Sequence, residues 1–96
     1  MRVVWSETAT NDLDGIVLYI GRSSPRYAAV VVSRIIMAAG RLADFPESGR
    51  IVPELGDAAV REVIHGPYRI IYELRGDAVE VVTVFRASRL FPPAMG

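Results

Sequence analysis

The stretch Tyr68-Arg69-Ile70-Ile71-Tyr72-Glu73-Leu74-Arg75-Gly76-Asp77-Ala78-Val79-Glu80-Val81-Val82-Thr83-Val84-Phe85-Arg86 decides the fold. Two runs rich in Val, Ile, Tyr and Thr flank Gly76-Asp77, the composition of two strands joined by a tight turn. A two-residue loop sets Leu74 opposite Val79, Tyr72 opposite Val81, Ile70 opposite Thr83 and Tyr68 opposite Phe85, which makes one side of the hairpin apolar and core-facing. The other side carries Arg69, Ile71 and Glu73 beside Glu80, Val82, Val84 and Arg86. That mixture is too polar to bury whole and too apolar to stay fully wet, so it invites a partner. The same register opposes Glu73 and Glu80, a mildly repulsive pair, and a three-residue loop through Arg75 is the alternative.

Upstream, Ala59 to Ile64 and the shorter Arg50 to Glu54 read as two further strands, with Gly66-Pro67 as a turn. Before them, Asp44-Phe45-Pro46-Glu47-Ser48-Gly49 is a helix breaker. It follows the stripe Ala28, Val31, Val32, Ile35, Ala39 and Leu42, whose helical spacing begins at the start signal Ser24-Pro25 and runs to about Ala43. A second stripe, Ala9, Leu13, Ile16, Val17 and Ile20, starts from the capping residue Ser6 and ends near Gly21. The short Arg22-Ser23 link makes the two helices an antiparallel hairpin. Arg2 to Trp5 is β-branched and apolar, a first strand. The expectation is an α+β fold with an N-terminal strand, a two-helix antiparallel hairpin and a three- to four-stranded C-terminal antiparallel sheet. Leu90-Phe91-Pro92-Pro93-Ala94-Met95-Gly96 cannot continue a strand, because adjacent prolines remove donors; the tail is either loose or packs Phe91 on the core.

A chain of 96 residues supports one core, so residues 1–96 are read as one domain. At 51% hydrophobic and 23% charged residues it is too apolar for disorder. The lack of cysteine excludes disulfides and thiolate chemistry. No apolar run approaches a membrane span and the first residues lack the long apolar stretch of a signal peptide, so a cytoplasmic protein without a membrane partner is expected. Eleven basic residues balance eleven acidic ones, which removes the bulk electrostatic case for direct nucleic-acid binding. All the basic residues are arginine, which genome base composition explains as readily as a need for bidentate donors.

Chemistry-bearing residues are sparse. His65 is the single histidine, so it forms neither a metal cluster nor a histidine pair. No G-x-S-x-G, G-x-G-x-x-G or Walker pattern occurs and the carboxylates lack metal-ligand spacing, so neither a cofactor nor a metal is expected. Glu54, at a strand edge, is the one carboxylate placed to act as a general base toward a ribose hydroxyl; a surface turn residue is its plainer reading. Arg61, Arg69, Arg86 and Arg89 lie in or beside three successive C-terminal strands, where a sheet can gather guanidinium groups into one positive effector or partner surface. Pairing with Glu62, Glu73 or Glu80 is the competing structural reading.

Trp5-Ser6-x-x-Ala9-x-x-Asp12-Leu13-x-x-Ile16, Pro46-x-x-Gly49-Arg50, Arg61-Glu62, Tyr68-Arg69-Ile70-Ile71-Tyr72 and the run from Val84 to Arg89, in that order, resemble the RelE/ParE toxin superfamily over nearly the whole chain. The resemblance implies the toxin of a type II toxin-antitoxin module, held in a hetero-oligomer by a cognate antitoxin whose flexible C-terminal segment wraps it. The antitoxin is expected on the helical hairpin or the sheet edge.

Two activities compete within the superfamily. The RelE-like branch cuts messenger RNA on the ribosome, with arginines and lysines stabilising charge and a C-terminal tyrosine or histidine moving a proton. Here Arg69 and Arg86 match basic positions. The chain has no lysine, however, and no tyrosine or histidine follows Arg89, so a nuclease would be left with Glu54, Arg69 and Arg86. The ParE-like branch is associated with inhibition of DNA gyrase without a known catalytic constellation. It often has a histidine where Arg86 stands, then a small pair and an arginine matching Arg89. The resemblance therefore implies a ParE-like toxin acting on gyrase by protein binding; an endoribonuclease and a non-toxic interaction module are the alternatives.

Overall fold

The chain passes from strand to helix at Ser6, whose hydroxyl accepts a hydrogen bond from the Ala9 amide at 3.0 Å and so satisfies one of the free donors of the first turn. In the computed structural model, which describes residues 1–93, β1 (Arg2–Trp5) precedes this cap and α1 (Glu7–Gly21) follows it. Ser24 repeats the device, accepting from the Tyr27 amide at 3.1 Å with Pro25 at the first helical position of α2 (Pro25–Gly40). A single 3₁₀ turn, Arg41–Ala43, extends α2 to the predicted end. Then come β2 (Arg50–Ile51), β3 (Val60–His65), β4 (Tyr68–Arg75) and β5 (Ala78–Arg86). The expected tail falls partly within this range, and residues 94–96 lie outside the described residues.

The five strands form one sheet in the order β1-β5-β4-β3-β2. All neighbours are antiparallel except β1 and β5, which run parallel with Trp5 beside Val81. The sheet is therefore mixed, and larger than the three or four C-terminal strands expected. β1 occupies the outer edge of β5, whose unpaired N–H and C=O groups would otherwise be exposed along the whole strand. β2 is shorter than expected because the Val52 amide still donates to the Val60 carbonyl at 3.1 Å but its own carbonyl turns away to accept from the Leu55 and Gly56 amides, at 3.1 and 3.0 Å, and Gly56 takes a positive φ of 63°.

Both helices pack on one face of the sheet. Ala9, Ile35 and Ala39 meet Tyr68, Ile70, Val81 and Val84 there, all buried. The outer face is also covered. Ile71 and Phe85 are buried against Val52 and Val60, with Leu55 and Phe91 packed on them, and the rings of Phe85 and Phe91 meet edge to face at 5.9 Å. Of the two readings of the tail, Phe91 takes the packed one. Residues Ile70 to Tyr72 are consequently fully buried, as a central strand closed on both sides requires. Against expectation, the outer face of the hairpin is not an open surface, because the segment after β2 and the start of the tail fold over it.

The β4–β5 loop has two residues, and Leu74 pairs with Val79 and Tyr72 with Val81 as predicted. Glu73 does oppose Glu80, and Arg75 relieves the repulsion, with its Nε 3.3 Å from one carboxylate and 3.4 Å from the other. Beyond this point the register departs from the regular one. Ile71 pairs with Thr83, Ile70 with Val84, Arg69 with Phe85 and Tyr68 with Arg86, so Val82 is an extra residue, a β-bulge. From the bulge onward the alternation of β5 is inverted: Val84 joins the helix-side core and Phe85 turns to the outer face.

The bulge is held by α1. The Ser6 hydroxyl that caps the helix donates to the Val82 carbonyl at 2.7 Å. The Asp12 carboxylate accepts from the Thr83 hydroxyl at 2.6 Å and from the Val84 amide at 2.9 Å. The polar groups that the bulge removes from the ladder are thus satisfied by two side chains of the N-terminal region.

Candidate functional site

The residues singled out by sequence fall into two places. Arg69 is on the outer face, 8% exposed. Its Nε donates to Glu62 at 2.6 Å, and both terminal nitrogens donate to Glu54 at 2.8 Å, a bidentate pair. Glu62 is 1% exposed and also accepts from Arg50 Nε. The guanidinium lies 5.3 Å from the ring centres of both Phe85 and Phe91. A planar cation set against a pair of touching aromatic rings, with two carboxylates on its donors, has its hydrogen bonds occupied internally. Arg69 is therefore not an exposed effector group. Burial would make a lone charge very costly, and the sheet supplies Glu62 and Glu54 to remove that cost.

The same pair fixes Glu54. The hydrogen bonds from Arg69 hold its carboxyl at about 2, down from an ordinary 4.5, and hydrogen bonding by the backbone of Glu54 adds to the effect. A carboxylate so stabilised is a weak base. Glu54 lies in the turn after β2 rather than within a strand, since β2 ends at Ile51.

Arg61 is apart from the other arginines. Its Nε donates to the Ala58 carbonyl at 3.1 Å and one terminal nitrogen donates to the Gly49 carbonyl at 3.1 Å, which ties β3 to the loop before β2. That loop is tight. The Tyr72 hydroxyl accepts from the Gly49 amide at 3.0 Å and donates to the Pro46 carbonyl at 2.8 Å. A Cβ at residue 49 would stand 2.5 Å from the Glu62 carbonyl oxygen, so only glycine fits.

Arg86 and Arg89 lie on the helix side, because the bulge inverted the strand below them. The Arg89 amide donates to the Arg86 carbonyl at 3.0 Å, a turn that brings the two side chains to one end of the molecule. Arg86 stacks over Tyr68 at 5.8 Å. Both arginines border a groove of about 460 Å³ between α1 and the end of β5. His65, half-buried at the end of β3, lines a neighbouring cavity with Arg34 and Arg86. The single positive patch expected from Arg61, Arg69, Arg86 and Arg89 is thus divided: two members are exposed at one end, one is tied to backbone carbonyls and one is internal. Among the described residues, no three His, Cys, Asp or Glu side chains are grouped to hold a metal ion.

Two residues central to this arrangement were not singled out from sequence. Glu62 was weighed only as one of three partners for strand arginines. Its signal is the alternation Val60, Glu62, Ile64, which places a carboxylate on the apolar face of β3. Asp12 enters only as one position of the helical motif, and nothing local reveals that its partners lie on β5.

Comparison with known proteins bears on the whole chain. Residues 3–91 match the family described as the ParE toxin of the parDE type II toxin-antitoxin system. Toxin RelE2 of Caulobacter vibrioides is 40% identical over 90 residues, covering 93% of this chain and 98% of its own. The putative toxin Y4kP of Sinorhizobium fredii is 34% identical over 96 residues, covering 98% and 96%. In structure, the chromosomal ParDE system of P. aeruginosa superposes with a TM-score of 0.75 at 22% identity, covering 90% of this chain and 95% of that one. The RelBE2 toxin-antitoxin complex of Mycobacterium tuberculosis gives 0.57 at 23% identity, with 92% of each chain covered. The family match and these relatives place the chain in the ParE toxin family of type II toxin-antitoxin systems, within the RelE/ParE superfamily.

Proposed function

We propose that this protein is a ParE-like toxin that inhibits DNA gyrase by binding it, and that a cognate antitoxin neutralises it in a hetero-oligomer. The observation that carries the reading is the closed set Glu54, Arg69 and Glu62. Glu54 and Arg69 are two of the three residues a residual nuclease would need, Arg86 being the third. The pKa of the base is held down at about 2, and the guanidinium that would grip a phosphate already has two carboxylates. Action by surface contact requires neither group to be free. An antitoxin partner is supported by the two solved neighbours, which come from a ParDE system and a RelBE2 toxin-antitoxin complex. On this reading the protein works in the cytoplasm, with its target.

A supercoiling assay with purified toxin tests the gyrase step. Inhibition that titrates with toxin and is reversed by antitoxin is the expected result; full gyrase activity at saturating toxin removes it.

A ribosome-dependent endoribonuclease is the second reading, favoured by the 40% identity to a toxin named RelE2 and by the exposed Arg86 and Arg89. Mapping of messenger RNA 5′ ends after induction separates the two. New ends within translated codons support the nuclease, whereas an unchanged map together with inhibited gyrase supports the ParE-like reading.

A further inference from the structure

His65, Tyr68 and Arg86 lie in one row across the sheet. His65 pairs with Tyr68 and Tyr68 with Arg86, so the three side chains share the face that the helices cover. Arg86 reaches that face only because of the bulge at Val82. Opposite the row, Tyr27, Val31 and Arg34 recur at helical spacing on one side of α2. Helix and row border a cavity of about 230 Å³, lined also by Ile20 and the Gly66-Pro67 turn.

Charge in this cavity is unbalanced. Two guanidinium groups and the single imidazole of the chain line it, and no carboxylate does. Asp12, which serves the bulge, lines the adjacent groove rather than this cavity. Among the described residues Arg34, His65 and Arg86 have no ion-pair partner, whereas Arg50, Arg69 and Arg75, also on the sheet, each have one. Tyr68 supplies a second indication. It is 4% exposed, yet its hydroxyl makes no hydrogen bond to the described residues. None of their fully enclosed side-chain polar atoms lacks a partner, so that oxygen meets solvent in the spaces Tyr68 lines. Arg86 is stacked over the same ring, which steadies its guanidinium beside the cavity.

Donors converging from three strands and a helix on a small space without acceptors select a compact anion with several oxygens. We propose that this cavity binds the phosphoryl group of a small phosphate or phosphomonoester, with Arg34 and Arg86 paired to its oxygens and His65 and Tyr68 donating to the others. Ile20 and Val31 provide an apolar wall for the organic part of a monoester. The volume lies below the roughly 300–1,000 Å³ usual for drug-sized ligands, which suits one phosphoryl group. A phosphodiester within a nucleic-acid strand fits less well, since it carries a single negative charge and needs room for two ester links. The site lies on the opposite face of the sheet from the Glu54, Arg69 and Glu62 cluster and stands whichever cellular target the toxin has.

Nuclear magnetic resonance of the isotope-labelled full chain, titrated with sodium phosphate and with sodium chloride at equal ionic strength, tests the assignment. Saturable shifts of the His65, Gly66 and Tyr68 amides are expected with phosphate and not with chloride. Arg34→Ala and Arg86→Ala, both at exposed positions, should melt like the unsubstituted chain and each weaken phosphate binding about tenfold or more. Tyr68→Phe keeps the ring and should weaken it about threefold. Arg22→Ala, at an exposed position outside the cavity, should leave affinity within about twofold, which separates a site from general attraction of anions. Phenyl phosphate distinguishes the sources: tighter binding than inorganic phosphate assigns the cavity to a monoester, equal binding assigns it to free phosphate, and either supports the site. The proposal fails if the shifts do not saturate, if chloride reproduces them, or if Arg22→Ala weakens binding as much as Arg34→Ala. It also fails if an RNA oligonucleotide without a terminal phosphate displaces phosphate from the cavity, which would make this surface a nucleic-acid contact instead.

Discussion

Arg69 and Arg86 stand on adjacent strands, one register step apart, and have opposite surroundings. Arg69 is enclosed by two carboxylates and two phenylalanine rings on the outer face. Arg86 is exposed on the helix face, stacked over Tyr68. The residue type is the same, so the difference is made by position: the single extra residue Val82 turns Arg86 away from the face that Arg69 occupies. An arginine in a strand gives no information about availability until its face and its carboxylate neighbours are known.

The largest effect expected is at the enclosed arginine. Arg69→Ala leaves Glu62 buried with Arg50 as its remaining cation, a loss of about 3–5 kcal/mol in urea denaturation. For a domain with about 5–15 kcal/mol in total, that endangers the fold. The double variant Glu62→Leu with Arg69→Met removes the buried charges together and should recover much of the loss. If Arg69→Ala unfolds at the same urea concentration as the unsubstituted chain, the enclosed cluster is not structural and the contrast collapses.

Next in size is the device that separates the two arginines. Asp12→Ala deprives the Thr83 hydroxyl and the Val84 amide of their acceptor, with an expected cost of about 1.5–3 kcal/mol per charged hydrogen bond before water replaces part of it. Hydrogen exchange should show faster opening at Val84 than at Val79, which lies before the bulge. Equal protection at both would mean that Asp12 does not hold the inverted segment.

A smaller effect follows from acidity. Glu54 has a lower pKa in the folded chain than the ordinary 4.5, so its contribution is complete above 4.5 and is lost as the pH falls toward about 2. The urea midpoint should therefore decline across that window, and Glu54→Gln should flatten part of the decline. An identical profile in the variant would show that Glu54 does not feel Arg69.

The smallest effect on stability is expected at Arg86. Arg86→Ala removes an exposed cation without an ion-pair partner among the described residues, so its unfolding free energy should change by less than about 0.5 kcal/mol. The contrast with Arg69→Ala is itself a measurement, because both substitutions delete the same atoms from neighbouring strands. Comparable losses at the two sites would refute the division into an enclosed and an available arginine.

Local structure was legible where it depends on local chemistry. Ser6 and Ser24-Pro25 marked the helix starts, and Gly76-Asp77 marked the two-residue turn, because caps and turns are built from residues a few positions apart. Tyr68, Ile70 and Tyr72 were recognisable as core from alternation in β4. The candidate site was legible as a list of residues, Glu54, Arg61, Arg69, Arg86 and Arg89, but not as an arrangement. Alternation continued without interruption through Val82 would place Arg86 beside Arg69.

By itself the sequence determined an α+β chain of two capped helices and a hairpin-ended sheet, and it carried the ordered motifs of the family. Tertiary structure alone decided the parallel docking of β1 on β5, the bulge and the sorting of the arginines. The physical reason is distance along the chain. The groups that hold the bulge are Ser6, 76 residues from Val82, and Asp12, 71 residues from Thr83. Hydrogen bonds of that span have no counterpart in local spacing, and a strand can accept an extra residue only where another element is already in place to satisfy its freed polar groups.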